Sequence, residues 1–225
     1  MFVGKGRCGE VMDKVKVKLV SFTPNYKELL MLACSKPYGK DVTMKGVKRI
    51  VESGHLSVLE HCYASFEVDC SVRVLGQLTR HRHLSFTVKS ARGSEFDEVV
   101  FPQEIADRSR EFFDDEGEWS EAMEDFKRSV TRHLLEVYKD AIGDGLPHQD
   151  AAYALPQGVL TSMVVTGNLR AWYEYLPKRL CKRAMPEHRK VAEMIYAELK
   201  KAMPEIFDRD FMNCESCKEH SCEFH

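Results

Sequence analysis

Alternating apolar and charged positions near the start of the chain predict a β-strand. In "KVKVKLVSFTP", Val15, Val17 and Leu19 point one way, the interleaved lysines point the other way, and Pro24 ends the strand. "CYASFEVDC" and the stretch from Leu84 to Lys89 are also predicted to be extended, and "DEVVFP" to be a short strand. "VLTSMVV" fits either a strand or a buried helical turn.

Apolar residues at helical spacing predict helices between these strands. The longest covers roughly residues 119 to 142. Asn25 is placed to cap a short helix, and Ser71 to cap a second one, "SVRVLGQLTRHR". "GNLRAWYEYLPKRL" is predicted to be helical as far as Leu176, and Pro186 stands in the first turn of the last long helix. The apolar positions of the longest helix are Met123, Phe126, Val130, Leu134, Val137 and Ile142.

This order of elements predicts an α+β (or α/β) fold. We expect a single domain over residues 1–212, with a mixed, largely antiparallel sheet flanked by long helices, followed by a Cys/His-rich tail at 213–225. The length of 225 residues and the hydrophobic content of 44% suit one globular domain.

Composition and charge narrow the possible partners. No apolar run approaches the ~20 residues of a membrane span, and the start has no signal-peptide core, so we expect a cytoplasmic protein with reduced thiols. The formal net charge is −2, so the chain as a whole is not built to bind nucleic acid. Any anion site must therefore be a local cluster of cations.

One such cluster is "RHRH" at residues 80–83. On the predicted helix before it, Gln77, Arg80 and His81 share one face, and Arg73 lies one turn earlier. A guanidinium, an imidazole and an amide on one face suit a phosphate or a pyrimidine carbonyl. Ser90 and Arg92 could return to the same place after the extended segment. The alternative is a helix C-terminus decorated with cations that favour the helix dipole.

The motif resembles the signature of the flavin-dependent thymidylate synthases, in which Arg-His-Arg is followed by seven residues and a serine. Arg80, His81, Arg82 and Ser90 fit it residue for residue, and Arg92 matches the arginine that usually follows. "HLSVLEH", "LGQLTRHR" and "LPQGVLTSMVVTGNLRAWYEYLPKRL" resemble other blocks of the same family in the same order. The resemblance spans roughly residues 53 to 190, which is far more specific than a single short motif.

The resemblance implies an FAD-dependent enzyme that methylates C5 of a pyrimidine nucleotide. In this family NADPH reduces the flavin, methylenetetrahydrofolate donates the carbon, and dUMP becomes dTMP, while the protein supplies positioning and electrostatics. Family members are homotetramers, so a homotetramer is expected here, without nucleic-acid or membrane partners.

Each role is carried over by matching position. Arg179 and Ser90 are the expected catalytic residues, with the Arg179 cation stabilising the anionic pyrimidine as C5 becomes nucleophilic. The expected nucleotide-binding residues are Gln77, Arg80, Ser90, Ala91, Arg92 and Arg179. The expected FAD-binding residues are His55, Arg80, His81, Arg82, Asn168 and Arg170.

Several positions depart from the family pattern. Thr87 and Val88 replace an Asn-Glu pair, and Ala152 replaces an arginine that helps to bind the nucleotide phosphate. Glu174 replaces an asparagine, and His188 replaces an isoleucine. These changes leave open a different pyrimidine nucleotide such as UMP, or a noncatalytic protein that binds flavin or nucleotide.

The C-terminal tail carries a second pattern. Cys214, Cys217, Cys222 and His225 could in principle close a tetrahedral zinc site. The loops between them are short, and a second knuckle of zinc-finger length is absent from the sequence, so we expect a flexible tail without metal.

Overall fold

The fold was obtained as a computed structural model, which describes residues 14–101 and 109–212 together with residues 214, 217, 219 and 222. Four strands and nine α-helices are found in this part of the chain. The strands are β1 (Lys16–Phe22), β2 (Tyr63–Ser71), β3 (Leu84–Val88) and β4 (Leu160–Asn168). The helices are α1 (Tyr26–Tyr38), α2 (Met44–Glu52), α3 (Val72–Leu78), α4 (Glu116–Lys127), α5 (His133–Gly143), α6 (His148–Ala151), α7 (Leu169–Leu180), α8 (Pro186–Ala202) and α9 (Pro204–Phe207).

The four strands form one antiparallel sheet in the order β1-β2-β4-β3. Side chains alternate between buried and more exposed positions along β2 and β4, as expected where one face of a sheet covers the core. The strand alternative for "VLTSMVV" is therefore correct, and the α+β class with a largely antiparallel sheet is confirmed. The described residues of "DEVVFP" form only an isolated bridge, between Val99 and Val159, and Pro102 lies outside the described residues.

The described chain divides into two compact units. The larger unit comprises Val17–Val68, Leu78–Thr87 and the described residues from Met163 onward. Its core centres on Trp172, which is fully buried and donates its indole N–H to the Ala64 carbonyl at 3.0 Å. The Trp172 ring packs edge-on against Phe66, with the ring centroids 5.0 Å apart. Trp172 is therefore a packing residue of this core.

The smaller unit comprises the described residues up to Lys16, together with Asp69–Gln77 and Val88–Ser162. A π-helical turn, Arg128–Arg132, joins α4 and α5 into one long helical segment, close to the predicted span. Val137 was predicted on the apolar stripe but is 42% exposed, whereas Tyr138 is fully buried. The π turn adds a residue to the helical register ahead of Val137, which accounts for the shift of the buried position there. Phe126, also predicted on the stripe, is 42% exposed and precedes the turn.

Three further expectations at helix ends need correction. Asn25 stands at the N-cap of α1 but makes no capping hydrogen bond with its side chain. The helix after Ser71 ends at Leu78, before Arg80, because the Leu78 carbonyl accepts a turn hydrogen bond from the His81 N–H. The predicted stop at Leu176 is wrong, since α7 continues through Pro177 to Leu180, where burial of Leu176 and Leu180 outweighs the hydrogen bond that proline removes.

Candidate active site

The Arg-His-Arg motif lies in the turn between α3 and β3. This turn exposes Arg80, Arg82 and His83 and leaves His81 half-buried. Together with α7 it lines a cavity of about 230 Å³. The lining residues are Arg80, His81, Arg82, His83, Leu84, Ala171, Glu174, Tyr175 and Lys178. Three cations face this cavity, and guanidinium and ammonium groups are the donors that bind phosphate oxygens, so the residues present fit the pyrophosphate of FAD.

Behind the cavity, His81 is held among aromatic side chains and an arginine. Its Nε2 accepts a hydrogen bond from the Arg179 Nε–H at 2.9 Å. Its ring packs edge-on against Tyr175, with centroids 4.9 Å apart, and lies 6.3 Å from the ring of His188. His188 is fully buried near the start of α8. Two predicted site residues, His81 and Arg179, are thereby brought into direct contact.

Both histidines of this cluster are neutral at pH 7. Burial lowers the pKa of His81 to about 4, and the positive charges of Arg179 and Lys178 act in the same direction. Burial lowers the pKa of His188 to about 3, again with Arg179 contributing. An imidazole whose Nε2 accepts a hydrogen bond carries its proton on Nδ1, so the contact with Arg179 fixes the His81 tautomer.

A second group of predicted residues lies at the start of α7. Asn168 is the N-cap of this helix, and its side-chain oxygen accepts from the Ala171 N–H at 2.8 Å. Arg170 donates from Nε to Glu174 at 2.8 Å and from Nη1 to Glu60 at 2.6 Å. These residues line a cavity of about 260 Å³ with His83 and Ala171. His83, Ala171 and Glu174 line both cavities.

The other predicted residues are placed as follows. His55 is exposed, immediately before the 3₁₀ helix Leu56–His61 in the larger unit. The smaller unit contains Gln77, which is half-buried in α3. It also contains the segment 90–92, in which the Arg92 N–H donates to the Ser90 hydroxyl at 3.2 Å. Ala91 packs against the core of that unit. The predicted helix face shared by Gln77, Arg80 and His81 is wrong, because α3 ends at Leu78.

Several residues of the site were not predicted from the sequence. Tyr175 and Lys178 line the cavity of the motif, and Glu60 binds Arg170. Ala171, Tyr175 and Lys178 recur at helical spacing in α7, so the period of that helix was the signal that could have identified the first two. A larger cavity of about 500 Å³, lined by α1 and the loop after it, contains none of the predicted residues.

Cys214 and Cys217 are exposed and Cys222 is half-buried, while His225 lies outside the described residues. Within the described part of the chain, no cluster of His, Cys, Asp and Glu could hold a metal ion. Among the helices of that same part, none has the length and apolar character needed to cross a membrane.

The structure thus shows an α+β fold with a cavity lined by three cations beside the Arg-His-Arg motif. Comparison with known proteins specifies the class. The profile of the family described as "Thymidylate synthase complementing protein" matches residues 18–205, and the chain belongs to this family.

Individual relatives agree with this assignment. The chain is 31% identical over 217 residues to the flavin-dependent thymidylate synthase of Saccharolobus solfataricus, covering 89% of this chain and 78% of that protein. It is 32% identical over 217 residues to the enzyme of the same name from Sulfurisphaera tokodaii, covering 89% and 79%. The enzyme of that name from Pyrococcus furiosus is 32% identical over 206 residues, covering 83% and 80%.

Proposed function

We propose that this protein is an FAD-dependent thymidylate synthase that methylates C5 of dUMP to give dTMP, with methylenetetrahydrofolate as carbon donor and NADPH as reductant. Family membership supports the reaction. The observation that carries the proposal is the cavity beside the signature motif, where Arg80, Arg82 and Lys178 present three cations. Such a donor set suits a ligand with two or more phosphates.

Different residues of this chain have different proposed roles. Arg80, Arg82 and Lys178 would hold the anionic part of FAD, and Asn168 and Arg170 would contact it from the start of α7. The reduced flavin held there would supply the hydride for the methyl group. The side chains around it bind, orient and balance charge, which is the protein's share of cofactor-based catalysis.

Arg179 is assigned to the pyrimidine. Because the neutral His81 accepts its Nε–H at 2.9 Å, the guanidinium plane is fixed by a half-buried ring that packs against Tyr175. A fixed cation beside the pyrimidine stabilises the negative charge that develops when C5 becomes nucleophilic. His81 is therefore a positioning residue in addition to its expected role at the flavin.

The substrate is tested by offering dUMP and UMP separately. FAD-loaded protein is incubated with methylenetetrahydrofolate and NADPH, and C5-methylated product is measured. We expect methylation of dUMP. Methylation of UMP alone would assign the enzyme to the other nucleotide, a possibility that Val88 and Ala152 raise at the expected nucleotide contacts. If flavin binds and neither nucleotide is methylated, the synthase proposal is wrong.

The role of Arg179 is tested with two variants. Arg179→Ala removes the cation and is expected to lower kcat about a hundredfold or more while FAD still binds. Arg179→Lys keeps the charge but loses the Nε–H bound by His81, so it should recover only part of this loss. Arg132→Ala, which removes an exposed cation paired with Glu136, is the control. Full activity of Arg179→Ala would exclude the assigned role.

We also propose that the enzyme is a cytoplasmic homotetramer, as the family resemblance implies. Light scattering of the purified full-length protein tests the assembly, with four chains of 25.9 kDa expected per particle. Cell fractionation tests the location.

A further inference from the structure

Glu174 is the acid of an otherwise cationic cavity. Among the described residues lining the cavity beside the signature motif, Arg80, Arg82 and Lys178 carry positive charge and Glu174 alone carries negative charge. The same carboxylate also lines the neighbouring cavity around Asn168 and Arg170. Glu174 therefore faces both places where the proposed cofactor would be held.

Glu174 also engages the cation of the second cavity. It accepts the Arg170 Nε–H at 2.8 Å, from one helical turn further along α7, while Glu60 accepts from Arg170 Nη1 at 2.6 Å. Two carboxylates surround one guanidinium, so this group carries a net negative charge. The three side chains are 37–46% exposed, so ligands and solvent can reach them.

A phosphate approaching this site meets two obstacles. It must displace or share the Arg170 contacts already made by carboxylates, and it experiences repulsion from the Glu174 charge. An amide at this position, as in the family pattern, would keep a hydrogen-bond acceptor for Arg170 and remove the negative charge. An uncharged ligand meets no charge repulsion of this kind.

We propose that Glu174 is a specificity-determining residue of the cofactor site, which weakens the binding of phosphate-bearing flavin relative to uncharged flavin. This inference rests on the proposed flavin function. The Glu174 carboxylate adds a negative charge that the asparagine of the family pattern lacks. Because salt screens charge repulsion, this carboxylate also makes the affinity for FAD depend on salt concentration.

The test is direct binding to the flavin-free full-length protein. Quenching of flavin fluorescence gives Kd for FAD and for riboflavin, which lacks phosphate, with the wild type, Glu174→Gln and Glu174→Asn. Glu193→Gln is the matched control, because Glu193 makes the corresponding i,i+4 pair with Arg189 on α8 at 3.8 Å. Both Glu174 variants are expected to bind FAD about three- to tenfold more tightly, with riboflavin and the control unchanged.

Salt provides the second readout. The difference between wild type and Glu174→Gln should disappear towards about 1 M salt, where the Debye length is about 3 Å. Equal FAD affinity of wild type and both variants at low salt would overturn this inference and leave the synthase proposal intact. Equal tightening of riboflavin would also overturn it, because the effect would not depend on phosphate charge. If neither wild type nor variants bind FAD, the flavin proposal fails and this inference fails with it.

Discussion

His188 makes the protein sensitive to acid, and replacing it with the isoleucine of the family pattern should remove part of this sensitivity. The side chain is fully buried, and burial together with Arg179 lowers its pKa to about 3. In the unfolded chain a histidine has a pKa of about 6.5. The folded state therefore binds fewer protons, so its stability is highest above about pH 6.5 and falls as the pH drops towards the folded pKa.

The size of the effect follows from these two pKa values. Each pH unit below about 6.5 costs about 1.4 kcal/mol for one buried neutral histidine, until the folded pKa is approached. At about pH 5 the His188 contribution is therefore a loss of about 2 kcal/mol. His81, Tyr175 and Arg179 remain in the variant. The difference in pH-dependent stability between wild type and variant therefore reports on His188.

The assay is urea denaturation from about pH 7 to about pH 5, at fixed protein and flavin concentrations. The free energy of unfolding of the wild type should fall by about 2 kcal/mol more than that of His188→Ile over this interval. His133→Gln, which removes an exposed histidine from α5, should keep the wild-type dependence on pH. Parallel losses for wild type and His188→Ile would refute the burial of a neutral imidazole at this position.

Two further predictions concern the frame of the fold. Asn168→Ala removes the side-chain acceptor for the Ala171 N–H and should lower the free energy of unfolding, measured by urea denaturation, by about 1 kcal/mol. A variant as stable as the wild type would contradict the capping role of Asn168. A Cβ at Gly158 would lie 2.7 Å from the Val100 backbone oxygen, so Gly158→Ala should cost about 1–3 kcal/mol. Gly143→Ala at the end of α5, where a Cβ meets nothing within 4 Å, should be neutral or slightly stabilising in the same assay, and equal losses for the two glycine variants would contradict the steric reason.

Local patterns predicted the elements better than their ends. Strict alternation identified β1, because a half-buried strand leaves a period of two in the sequence, and the prediction that "CYASFEVDC" is extended was also correct. The end of α3 at Leu78 depends on a turn hydrogen bond that gives no pattern of its own. The buried position moves from Val137 to Tyr138 because a π turn precedes them. A pattern with a fixed period of 3.6 residues does not predict such a turn.

At the site, too, local sequence predicted some features, while contacts between distant residues were not predicted. The signature motif was visible as a short run of residues, so the arginines of the cationic cavity were predicted. The contact between His81 and Arg179 joins residues 98 positions apart, and that between Glu60 and Arg170 joins residues 110 positions apart. Such contacts follow from the path of the chain through the sheet, so periodicity and spacing cannot supply them.

Two of the departures in the larger unit, Glu174 and His188, change charge and protonation but leave the backbone frame in place. Asn168 still caps α7 and Trp172 still anchors that helix to β2, so the α7 side chains keep their positions. Within this frame, a carboxylate at 174 adds negative charge beside the proposed cofactor contacts, and an imidazole at 188 adds a buried group that acid can charge. A fold held by caps and aromatic packing tolerates both changes. Their effect should therefore appear in cofactor affinity, salt dependence and acid stability, with the geometry around Arg179 retained.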